Sequence, residues 1–136
     1  MNNQKKILVL CTGNSCRSIM AEGLINHFGK DYFQAFSAGS NPAGFVHPMS
    51  IKTLKKSGIL KSDYKSQSWD EFSDMDFDLV ITVCDNAKLA CPIFPKKTIK
   101  IHWSIDDPFQ GWDENEEHLT NFRKARTELQ DHIKSL

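Results

Sequence analysis

Eight consecutive residues, Cys11-Thr12-Gly13-Asn14-Ser15-Cys16-Arg17-Ser18, set a cysteine and an arginine at either end of a run of mostly small side chains. Small residues let successive backbone N–H groups turn inward as an anion-binding nest. A helix beginning at the same place adds the positive end of its dipole. Arg17 can then close the cup as a planar fork on two oxygens of a tetrahedral oxyanion, with Thr12, Gly13, Asn14, Ser15 and Cys16 as the floor. The same field should lower the Cys11 thiol below its free pKa of roughly 8.5, giving a thiolate nucleophile near neutral pH. Ser18 is placed to donate a hydrogen bond to that sulfur. Cys16 points into the helix start and reads as a structural thiol. Cysteine, five residues and arginine form a weak pattern alone; its position between a strand and a helix gives it weight.

Two further segments carry chemistry. Attack on phosphorus or arsenic needs a proton for the departing oxygen, and an aspartate beside an anion and partly out of water can hold one. Asp107 is the better candidate of the Asp106-Asp107-Pro108 run, because Pro108 restricts its backbone; an ordinary acidic turn is the competing reading. Cys84 and Cys91 lie seven positions apart. If the residues between them are helical, the sulfurs share a face roughly 10 Å apart by helical rise. A disulfide needs Cα atoms within roughly 7 Å, so a redox pair here would have to unwind the segment. Two separately buried cysteines explain the pair equally well.

The elements that must position these groups follow from hydrophobic spacing. Lys6 to Leu10 reads as a buried strand ending at the cysteine loop, and Ile19, Met20, Leu24, Ile25 and Phe28 recur at helical spacing up to Gly29. Tyr32 to Ser37 is a second strand, and Met49, Ile51, Leu54 and Lys55 mark a second helix. Trp69 to Phe72 makes a short helical turn. Phe77 to Val83 and Ile99 to Trp103 are further strands, and Leu119, Phe122, Ala125, Leu129 and Ile133 mark a C-terminal helix. This alternation predicts a single-domain α/β three-layer sandwich over residues 1–136, with a four-stranded parallel sheet and helices on both faces. Ligands in such folds bind beyond the carboxyl ends of the strands, where Cys11, Cys84 and the segment after Trp103 all fall.

Composition narrows the partners. The 136 residues carry seventeen basic and seventeen acidic side chains, so no global field would hold the chain on nucleic acid or an anionic membrane. The apolar run before Cys11 is too short for a signal peptide or a membrane span, which predicts a cytoplasmic protein, expected as a monomer. In a reducing compartment thiols are more often catalytic, metal-binding or buried than bridged. The spacings 11/16 and 84/91 are not usual zinc-ligand spacings, so no metal is expected. His47, His118 and His132 belong to no constellation and read as surface or packed residues. His102 reads as positional rather than catalytic.

Taken together, Cys11 to Ser18, Met20-Ala21-Glu22-Gly23, Ser37-Ala38-Gly39, Val83-Cys84-Asp85-Asn86, Cys91-Pro92, His102-Trp103 and Asp107-Pro108 resemble arsenate reductases that share the low-molecular-weight protein tyrosine phosphatase fold. The resemblance implies that Cys11 attacks arsenate and Asp107 assists loss of water. Cys84 then attacks the Cys11 adduct to release arsenite, and Cys91 collects the disulfide as Cys84–Cys91 for reduction by thioredoxin or, less favoured, glutaredoxin. Phosphate and sulfate would act as substrate mimics, and no cofactor is implied. A two-electron reduction consumes two thiols and a third passes the disulfide outward; a phosphatase needs only the first. The alternatives are a tyrosine phosphatase of the same fold, whose side activity a reductase could retain, and a non-enzymatic redox-sensing module. Some relatives bind potassium through residues matching Asn14, Glu22 and Ser37 with a Thr and an Asp. Those two positions are Lys65 and Gln67 here, and two readings of Lys65 stand side by side: its ammonium replaces the cation, or it is a solvated surface lysine.

Overall fold

The computed structural model describes residues 4–84, 87 and 97–136. Its centre is β1 (Lys5–Cys11), in which Ile7, Leu8, Val9 and Leu10 are all buried. A run apolar on both sides of the pleat suits only a strand covered on both faces, and β1 is such a strand. It pairs in parallel with β2 (Phe33–Gly39) on one side and β3 (Leu79–Thr82) on the other. β3 pairs in turn with β4 (Ile99–His102), giving the all-parallel order β2-β1-β3-β4. The chain thus leaves β1 toward one neighbour and later returns to the other. That reversal opens a crevice at the carboxyl end of β1, where Cys11 sits opposite Gly39.

Among the described residues, three helices follow the expected periodicities. α1 (Arg17–Phe28) packs on β1 and β2, and α2 (Pro48–Lys56) and α3 (Glu116–Ile133) pack on α1 and on each other. On α1, Gly23 permits this approach, since a Cβ there would lie 2.9 Å from Leu54 and 2.7 Å from the Tyr64 hydroxyl. Asn115 caps α3 by accepting the His118 N–H, and Leu119, Phe122, Ala125 and Leu129 form its buried stripe. The other side of β2 carries Phe36, whose ring meets Phe77 and Phe72 of the short 3-10 turn Trp69–Phe72.

The expected strand limits differ from the observed ones by one or two residues. The ladder continues past the strand ends, with Asp78 bonded to both Lys6 and Ile99, Val83 to Leu10 and Trp103 to Thr82. Apolar runs report that longer hydrogen-bonded stretch. Among the described residues no helix is long and apolar enough to cross a membrane. Cys91 and the segment expected to be helical after Cys84 lie, but for Ala87, outside the described residues.

Candidate active site

The loop between β1 and α1 is held from outside by its carbonyls. Those of Cys11, Thr12, Gly13 and Ser15 accept the N–H groups of Ser40, Asn41, Ala43 and His47. The Ser66 hydroxyl adds a bond to the Gly13 carbonyl, and the Ser50 hydroxyl one to Ser15. In a trans peptide the N–H points away from the C=O, so turning these oxygens outward turns the N–H groups of the following residues inward. Asn14 completes the turn with φ 49°, a left-handed conformation that asparagine tolerates. Its side chain fixes that geometry by donating to Ser18 (2.7 Å) and Ser37 (3.0 Å) and accepting from the Gln67 N–H (2.8 Å). Cys16 precedes α1 without any side-chain cap, which leaves the first-turn N–H groups of the helix facing the loop.

Arg17 stands on the first turn of α1, 12% exposed. Its Nη1 donates to the Ile105 carbonyl at 2.8 Å, and its Nη2 lies 3.5 Å from Asp107 Oδ2. Its Nε is buried with no hydrogen-bond partner among the described residues, an orphan donor at the edge of the cup. A cavity of about 250 Å³ opens between residues 11–17 and a wall formed by Asp107, Phe109 and Trp112. The structure therefore gathers Cys11, the loop residues, Arg17 and Asp107 around one space. Asp107 is half exposed and accepts the Phe109 N–H on Oδ1, the turn expected next to Pro108.

Cys84 arrives at the end of β3, where its sulfur lies 3.2 Å from the Thr12 hydroxyl, and it interacts with the Cys11 thiol. That interaction bears on the charge of both sulfurs. The Cys84 thiol is lowered to about 5 by the interaction with Cys11, with help from the Thr12 hydroxyl and the Ala87 N–H. Cys11 is raised well above the usual range by the same interaction and by burial, against the pull of Arg17 and the Asn14 N–H. The interaction pulls the two thiols in opposite directions, Cys84 down and Cys11 up, where the loop by itself would lower Cys11. The expected role of Ser18 is corrected, since its oxygen accepts from Asn14 and the groups acting on Cys11 are Cys84, Arg17 and Asn14. Burial pushes Cys16 up to about 11, so it stays a thiol. Cys11, Cys16 and Cys84 are all free.

Of its two readings, Lys65 follows the solvated one. It is exposed, and the cation acting on Glu22 is Lys61. What meets the Glu22 carboxylate is the Ser37 hydroxyl at 2.5 Å, while the Gln67 side chain donates to the Ser37 carbonyl. His47 departs further from its reading as a surface or ordinary packed residue. It is wholly buried, caps α2 by accepting the Met49 N–H, and stacks on Trp112 of the cavity wall. A polar side chain just before Pro48 was its visible signal, since proline favours the first helical position and the residue before it the cap.

A family profile described as low molecular weight phosphotyrosine protein phosphatase matches residues 6–136. The chain belongs to the low molecular weight phosphotyrosine protein phosphatase family. The family match takes in the Cys11–Ser18 loop, Cys84 and the Asp107 wall. An arsenate reductase of Halalkalibacterium halodurans is 39% identical over 133 residues, covering 98% of this chain and 95% of that protein. The crystal structure of an arsenate reductase from Archaeoglobus fulgidus superposes with a TM-score of 0.75 at 32% identity, covering 95% of this chain and 96% of that one. A thioredoxin-dependent arsenate reductase from Corynebacterium glutamicum superposes with a TM-score of 0.68 at 26% identity, covering 97% of this chain and 63% of that one. This phosphatase family fold is therefore shared with proteins named for a redox reaction.

Proposed function

We propose that this family member reduces arsenate to arsenite in the cytoplasm, as a monomer, with thioredoxin as the electron donor and glutaredoxin the less favoured one. The observation that carries the reading is a second thiol, Cys84, at the end of β3 with its sulfur 3.2 Å from the Thr12 hydroxyl of the oxyanion loop, because hydrolysis needs one sulfur and reduction needs two. Proton transfer from Cys11 to Cys84 makes Cys11 the thiolate. Its sulfur attacks arsenate held by the loop N–H groups and Arg17, and Asp107 supplies the proton with which an arsenate hydroxyl leaves as water. Cys84 then gives its proton to the Asp107 carboxylate left by that step, and its sulfur attacks Cys11 sulfur. The S–S bond forms as the S–As bond breaks, and the electron pair stays on arsenic, which departs as arsenite. Attack of Cys91 on Cys84 returns Cys11 as thiolate and leaves a Cys84–Cys91 disulfide, which an external dithiol reduces. Phosphate and sulfate, with the same tetrahedral shape, occupy the loop as mimics.

The names of the similar arsenate reductases, among them a thioredoxin-dependent one, support this reading. The second reading is aryl phosphate hydrolysis, favoured by the Phe109 and Trp112 wall beside the cavity. One assay separates them: arsenate-dependent NADPH oxidation coupled through thioredoxin and its reductase, run beside phenyl phosphate hydrolysis. Cys84→Ser should abolish the first and keep the second. A Cys84→Ser protein that still reduces arsenate would rule out the relay.

A further inference from the structure

Asp107 sits on a stretch without regular secondary structure, between Ile105 at the end of the β4 extension and Trp112. Among the described residues, one hydrogen bond ties each end of this stretch to the body of the molecule. Arg17 Nη1 holds the Ile105 carbonyl, and His47 Nε2 holds the Gly111 carbonyl at 2.8 Å. The first tether belongs to the oxyanion machinery. The second has no part in the reaction as drawn, yet the acid lies between the two.

His47 is built for this task. Its Nδ1 lies 3.1 Å from the Met49 N–H, which only an unprotonated nitrogen can accept, and its Nε2 meets a carbonyl, which only an N–H can satisfy. The two partners together fix one neutral tautomer and the ring's orientation. The ring stacks on Trp112 at 5.1 Å, meets Phe109 edge-on at 5.8 Å, and rests against Phe122 at 4.8 Å. Its backbone N–H holds the Ser15 carbonyl of the oxyanion loop. One fully buried residue therefore bolts the start of α2, the oxyanion loop and the acid-bearing wall to each other.

We propose that His47 is a positioning residue that sets Asp107 against the oxyanion loop, acting through the Gly111 carbonyl and the Trp112 ring rather than on substrate. The proposal rests on the reading of Asp107 as proton donor. A loop acid displaced by about an ångström loses much of its advantage, since catalysis by a placed proton donor is worth roughly 10²- to 10⁴-fold and decays with geometry. The loop N–H groups, held by other residues as well, should keep their grip on the anion.

The test is a double-mutant cycle between His47→Asn and Asp107→Asn, read as kcat and KM for arsenate and, in parallel, for phenyl phosphate, whose poor leaving oxygen needs a proton. Asparagine is a good helix cap and can still accept the Met49 N–H, but it is too short to reach Gly111 and has no ring for Trp112. The expected result for His47→Asn is a roughly ten- to hundredfold fall in kcat, with the inhibition constant of inorganic phosphate within about twofold of wild type. In the Asp107→Asn background the same change should cost no more than about twofold, because the acid it positions is gone. Gly111→Ala supplies a second route from the solvent side: Gly111 has φ 114°, which an alanine rarely adopts, so the substitution strains the backbone that presents this carbonyl, while its Cβ meets only the movable Asp113 carboxyl at 2.9 Å. It should show the same kcat signature. Independent, multiplicative losses in the double variant would overturn the proposal, as would phosphate binding that falls in step with kcat. Full turnover by Asp107→Asn alone would overturn it too, by removing the acid itself. A wild type that hydrolyses phenyl phosphate yet ignores arsenate would sink the reductase reading while the His47 cycle is still read from hydrolysis.

Discussion

Two interacting sulfurs titrate as a unit, and Cys84 therefore bears on when Cys11 becomes a nucleophile. The interaction with Cys84 is the largest cause raising Cys11, and the charge on Cys84 raises it further. Cys84→Ala removes both, leaving Arg17 and the Asn14 N–H opposed by burial alone. The Cys11 thiol of that variant should ionise at lower pH than in the wild type. Iodoacetamide labelling of Cys11 followed by mass spectrometry across pH would show the midpoint moving down; an unmoved midpoint would mean that the two thiols do not touch. That Cys11 and Arg17 would share one loop was readable from residue type and spacing, and Pro108 singled out Asp107 from its neighbour. The charge states were not readable. Which sulfur holds the proton depends on a strand end far along the chain, and no local pattern encodes that approach.

At the level of elements, the oxyanion loop depends on how closely β2 passes it. Gly39 pairs with Cys11 across the sheet, and a Cβ on it would collide with the Thr12 carbonyl oxygen and come within 3.1 Å of Asn14 Cβ. Both neighbours are the loop itself, so Gly39→Ala should push the loop out of shape. The expected cost is about 1–3 kcal/mol of stability, with loss of phosphate-induced protection in thermal melts. Normal phosphate protection in Gly39→Ala would show that the loop tolerates the displacement. The strands and helices were legible because buried faces impose periods of two and 3.6 on apolar residues. The outer bracing of the loop by Ser40, Asn41, Ala43 and His47 was not legible, since it is made by backbone N–H groups that any residue but proline supplies. His47 showed only its cap; its partners Gly111 and Trp112 come from a distant loop.

Across the whole molecule, opposite charges balance and the reactive groups gather at one end of the sheet, so titration of a few groups near that end should shape stability. Glu22 is such a group, raised above its ordinary 4.5 chiefly by burial, against the Ser37 hydroxyl and Lys61. A carboxyl with a raised folded pKa binds its proton more tightly in the fold. Its contribution favours folding below pH 4.5 and is lost as pH rises through the folded value. Glu22→Gln keeps an oxygen for the Ser37 hydroxyl without the charge. Its melting temperature relative to wild type should therefore climb as pH rises from about 4 to 7; a flat difference would mean that Glu22 carries no burial penalty. Balanced charge also leaves capture of an anion to Arg17, which the hydrogen bond to the Ile105 carbonyl already holds in place. Immobilising so long a cationic side chain, worth about 2 kcal/mol of rotamer freedom, is completed during folding. Each arriving oxyanion then meets a rigid socket, and little disorder in the protein has to be surrendered at the encounter.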